Sequence, residues 1–119
     1  MQEPEHLGPT HEAYSELQQA FDHFNEALFD GQLPSCLITL QREKTTVGYF
    51  SPGRFVSLAG QTTDEIALNP VYFATVPLIE TMQTIVHEMT HAWQHHFGDA
   101  GRGRYHNKQF ADKMESLGL

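Results

Sequence analysis

Apolar residues Tyr14, Leu17, Phe21, Phe24 and Leu28 recur every three or four positions beneath an acidic outer face, the period of an amphipathic helix. Thr10 is placed to cap that helix, and Asp30-Gly31-Gln32-Leu33-Pro34 to stop it, so a helix is predicted over 10–29. The pattern then changes period. Cys36-Leu37-Ile38-Thr39-Leu40-Gln41 reads as a strand, and Thr45–Phe50 and Arg54–Leu58 read as two further β-rich runs around the turn signal Ser51-Pro52-Gly53. Those two runs are expected to form a hairpin. Glu65-Ile66-Ala67-Leu68-Asn69 alternates polar and apolar positions and ends at Pro70, which predicts a last strand at the edge of the sheet. Helical period returns from Pro77 to Phe97, where Leu78, Met82, Ile85, Val86, Met89, Trp93 and Phe97 form one stripe between a first-turn proline and a terminal Gly98. A glycine-containing loop follows, and Asn107 can cap a short last helix carrying Phe110, Met114 and Leu117.

Because the strands run together instead of alternating with helices, the order predicts an α+β fold. Its parts are an N-terminal helix, a three- to four-stranded, mainly antiparallel sheet, a long helix and a short C-terminal helix. The expected organisation is a loose arm over residues 1–9, which contain Pro4, Gly8 and Pro9, and one domain over 10–119.

Composition narrows the function classes. Seven Lys and Arg against 15 Asp and Glu give a net charge of −8, which opposes tight binding of this domain alone to nucleic-acid phosphates. Residues 1–41 contain acids but no Lys or Arg, whereas Arg102, Arg104, Lys108 and Lys113 gather near the C-terminus, so any DNA contact is expected there and expected to be weak. No apolar run is long enough to span a bilayer, and the acidic first residues are unlike a signal peptide. The single cysteine, Cys36, fits a reducing compartment, and the expected location is the cytoplasm, with no membrane partner. The expected oligomeric state is a monomer. Eight histidines in 119 residues are an excess that points to metal.

The long helix carries His87-Glu88-Met89-Thr90-His91. Two imidazoles four residues apart lie one turn and about 6 Å apart along the axis, on one helix face, where their nitrogens can share an ion. At 100° per residue that face points roughly 140–180° from the apolar stripe. Glu88 stands about 100° round from His87, too far to chelate with the pair yet within reach of an attacking water, the position of a general base. A catalytic zinc takes three protein ligands and keeps one position open. The candidates for the third are His95, His96, Asp99, His106 and Glu115. His95 is about 12 Å from His87 along a straight helix and His96 turns off the face, which leaves His106, after the glycine-containing loop, as the best choice. His95 and His96 are read as solvated or supporting residues; His6, His11 and His23 are read as surface residues. The cofactor expected is one Zn2+ per chain.

Taken together, Leu28–Pro34, Ile66–Asn69, His87-Glu88-Met89-Thr90-His91-Ala92-Trp93 and His106-Asn107-Lys108-Gln109-Phe110 resemble the SprT-like zinc metallopeptidase domain, the family of SprT and Spartan. The segment before His106 looks more like bacterial members. Asn107 stands where Spartan-like sequences have glycine, and the resemblance does not extend to the zinc-ribbon or DNA-binding regions many relatives carry downstream. The resemblance implies a small zincin-like fold, zinc held by His87, His91 and His106, and Glu88 as the base that activates water for peptide hydrolysis. It implies protein or peptide substrates, unfolded or DNA-associated, with a role like DNA–protein crosslink repair. Tyr105 is read as packing beside His106. Were Glu65–Asn69 an exposed edge near the cleft, an extended substrate would add to it as a further strand. Two other readings stay open: a structural zinc module in a DNA-associated protein, and a zinc hydrolase of a non-peptide substrate.

Overall fold

A computed structural model describes residues 9–42, 47–73, 76–98 and 108–118. The elements are α1 (Pro9–Phe29), β1 (Cys36–Leu40), β2 (Gly48–Val56), β3 (Thr62–Leu68), a single turn α2 (Pro70–Phe73), α3 (Leu78–Phe97) and α4 (Lys108–Ser116). The α+β order predicted from the chain is therefore the observed one. The predicted arm, residues 1–9, lies almost wholly outside the described residues; only Pro9, where α1 begins, is among them.

The apolar period of α1 places Phe21 and Phe29 at 1% exposure, with Leu17, Phe24 and Leu28 packed at the margin of the same cluster. The helix stops where Asp30 and Gly31 take left-handed φ angles of 55° and 68°, and the Gly31 N–H reaches back to the Asn25 carbonyl at 2.8 Å. Asn25 also holds the exit. Its amide nitrogen donates to the Leu33 carbonyl and its oxygen accepts from the Leu33 N–H, both at 3.1 Å, which fixes the path into β1.

The sheet has three strands in the order β1-β3-β2, with β1 parallel and β2 antiparallel to β3, so it is mixed where a mainly antiparallel sheet was expected. Two further expectations are corrected here. The turn signal Ser51-Pro52-Gly53 does not join two strands: it is an irregularity inside one strand, β2, between Ser51 and Phe55. The chain reverses later, where Ser57 N–H donates to the Gln61 carbonyl at 2.8 Å. Proline is tolerated because β2 is an edge strand, and Gly53 supplies the positive φ of 58° that a bulge of this kind uses. The second correction concerns Glu65–Asn69, which lies in and just beyond β3, the central strand, and offers no free edge to a substrate. Glu65, read as a polar residue of an exposed edge, is buried, as is its neighbour Asp64. Glu65, 2% exposed, accepts from the Thr39 hydroxyl and has the Arg54 Nε 3.7 Å away. Asp64, 6% exposed, accepts from the Gly53 N–H at 2.7 Å and meets His96 Nε2 at 2.6 Å.

One core joins sheet and helices: Ile38, Phe50, Ile66 and Leu68 from the strands, Phe21 and Phe29 from α1, and Ile85, Val86, Met89 and Ala92 from α3. The middle of the α3 stripe is thus buried as its period predicts, with Met82 and Trp93 at the margin. Its two ends are not: Leu78 and Phe97 stand 72% and 52% exposed.

Cys36 is part of this core, opposite Asp64 in the β1/β3 register. Burial, reinforced by the Asp64 carboxylate, pushes its thiol up to about 12. Because the folded state holds the thiol neutral where the unfolded chain ionises it, this contribution to stability is complete below about pH 9 and is lost as pH rises toward about 12. Native protein at pH 8 is therefore expected to react with a thiol reagent only at the rate of opening, and denatured protein at once. Immediate stoichiometric labelling of the native protein contradicts this.

Candidate metal centre

The site is built on the mid-section of α3. Met89 and Val86 hold that helix to the core at 0% and 3% exposure, and the helical repeat then carries His87 and His91 together onto another face. Their rings lie 5.1 Å apart centre to centre at an interplanar angle of 77°, both half-buried. Glu88, between them in sequence, is 5% exposed.

The wall facing the two imidazoles comes from α4. Phe110, 4% exposed, sets its ring 5.0 Å from that of His87 and 4.4 Å from that of His91. Two polar contacts seat α4 on α3 nearby: Gln94 Nε2 donates to Gln109 Oε1 at 3.1 Å, and the Thr90 hydroxyl lies 3.1 Å from Met114 Sδ. Lys113 of α4 adds a cation–π contact, its Nζ 4.8 Å from the Trp93 ring of α3 and 5.4 Å from the Phe29 ring of α1.

Two imidazoles on one turn beside a buried carboxylate form a donor set suited to zinc. Their ring separation lets two nitrogens approach one ion. The expected third ligand, His106, lies outside the described residues, as do Tyr105 and Asp99. Among the described residues no third His, Cys, Asp or Glu completes a metal-holding group. Of the alternatives weighed for that role, Glu115 is exposed on α4, and His95 is exposed with its ring 6.0 Å from Phe50. His96 is engaged with Asp64. His23 is exposed on α1, as a surface residue should be, while the side chains of His6 and His11 lie outside the described set.

Sequence reasoning missed two tertiary contacts. The Asp64–His96 pair spans 32 positions and has no local signature. The contact of Phe110 with both imidazoles was signalled only by its apolar spacing on the last helix.

A small α+β domain in which a 20-residue, core-anchored helix presents His-Glu-x-x-His carries the motif of zinc-peptidase-like proteins. The chain belongs to the SprT-like family, whose model matches residues 17–118. It is also similar to a protein of Salmonella typhimurium described as an uncharacterized protein in the mucB 3' region, 63% identical over 59 residues. That match covers 49% of this chain and 80% of the Salmonella protein. Among the described residues no helix is long and apolar enough to cross a membrane.

Proposed function

We propose that this chain is a zinc-dependent endopeptidase that cleaves unfolded or flexible segments of proteins, those associated with DNA included. The observation that carries the reading is the pairing of His87 and His91, with rings 5.1 Å apart, on the same turn as the buried Glu88. Membership of the SprT-like family, whose relatives include zinc metallopeptidases, supports it. His87, His91 and His106 would hold the metal and leave one position open. When bound, zinc supplies Lewis acidity and brings the ionisation of a water to near neutral pH.

Glu88 takes the proton from the water whose oxygen attacks the peptide carbonyl carbon. It then delivers that proton to the leaving amine as the C–N bond breaks, so the carboxylate is regenerated in each turnover. The net charge of −8 makes direct capture of DNA by this domain weak, so selection of substrate rests on partial unfolding and on recruitment. The site of action is the cytoplasm, and the working form is the monomer.

The test is zinc content by elemental analysis after dialysis against a weak chelator, for the unsubstituted protein and for His106→Ala. About one zinc per chain, lost or much weakened in the variant, is the expected result for an open three-ligand site. Zinc retained at undiminished affinity in His106→Ala would remove that histidine from the ligand set and with it the mechanism as written.

A further inference from the structure

We infer that Phe110 is a positioning residue for the metal pair, a flat wall that pre-orders both imidazoles before any ion arrives. The inference rests on the zinc reading above. Phe110 belongs to α4, not to the helix that carries the histidines, and it meets both rings at once: edge-to-face against His87 at 66°, tilted at 32° against His91. At 4% exposure the phenyl ring is itself enclosed, so it cannot swing aside without opening the α3/α4 contact. That contact is fastened on either side of Phe110, by Gln109 to Gln94 and by Met114 to Thr90.

The physical consequence concerns rotamers. An imidazole on a helix surface samples several χ1 and χ2 states, and a pair of them presents two nitrogens to one point only in a small fraction of combinations. A wall touching both rings removes most of the other combinations in the apo protein, so the ordering cost no longer falls on the binding step. Removing the hydrogen-bonding partners that orient metal ligands commonly alters affinity by about ten- to a hundredfold, and a wall that restrains both ligands at once is expected to act on the same scale. The ring also covers part of each imidazole against water. Since α4 begins two residues after His106, the helix that brings the wall also follows directly on the expected third ligand.

The experiment compares Phe110→Leu, which keeps apolar bulk without a flat face, with Phe110→Tyr, which keeps the face. Zinc affinity is read by competition with a chromophoric chelator, coordination geometry by the visible spectrum of the cobalt(II) form, and integrity of the fold by circular dichroism of the apo protein. Phe110→Leu is expected to lose about ten- to a hundredfold in zinc affinity and to change the cobalt band intensities while keeping its helix content. Phe110→Tyr is expected to recover most of both. A folded Phe110→Leu with wild-type zinc affinity and an unchanged cobalt spectrum overturns the inference alone. A wild-type protein that binds no zinc overturns the metal reading and this inference with it. If Phe110→Leu does not fold, the apo wild-type protein decides by nuclear magnetic resonance: Overhauser contacts from the Phe110 ring to both histidine rings are expected, and their absence overturns the inference.

Discussion

Glu88→Gln is expected to slow peptide hydrolysis by about 10²–10⁴-fold, the range for loss of a positioned general base, with the zinc content of the protein unchanged. The amide is nearly the same size and shape as the carboxylate, so a side chain only 5% exposed can be exchanged without opening a cavity. It cannot accept the proton from the attacking water. Glu88 points about 100° from His87 around the helix, so the substitution leaves the imidazole pair intact. Single-turnover cleavage of a reduced, unfolded protein, measured beside metal content, separates the two roles. Activity surviving at the wild-type rate would show that another group moves the proton; activity and zinc lost together would show that Glu88 supports the ligand set instead.

The largest expected loss of stability follows from Phe21→Ala. Phe21 is 1% exposed at the centre of the contact between α1 and the core, and truncation of a buried phenylalanine costs about 3–5 kcal/mol through lost transfer energy and the cavity left behind. For a domain of this size that corresponds to a fall in Tm of roughly 10–20 °C. Denaturant unfolding with an unchanged m-value is the appropriate check. A shift of a degree or two would mean that α1 is not a working part of the core.

The helices α1 and α3 were legible because each shows the 3.6-residue period over enough length to average out exceptions, whereas the single turn α2 is too short to show one and was not predicted. Phe21, Ile85, Val86 and Met89 are buried as their spacing requires. The sheet was harder because its order depends on partners far away in the chain. Ser51-Pro52-Gly53 carries every local mark of a reversal, yet an edge strand accommodates proline, and the loop at 57–61 makes the turn. Glu65 looked like a polar position of an edge strand because nothing in its neighbourhood announces Thr39, 26 positions away, just as nothing near Asp64 announces His96, 32 positions away. The central place of β3 follows from its pairing with both β1 and β2, and pairing order is not written in a five-residue alternation. At the site, His87, Glu88 and His91 were legible because helical geometry alone sets them on neighbouring positions of one turn. Phe110 acquires its role only when α4 folds back.

Asp64 fastens the bulge of β2 through Gly53 and the last turn of α3 through His96, with one oxygen for each. Three elements therefore share a single clasp, and the edge strand and the helix end beside it cannot fray separately. In hydrogen-exchange terms, the Gly53 amide and the amides of the last turn of α3 belong to one cooperative opening unit, protected together and released together.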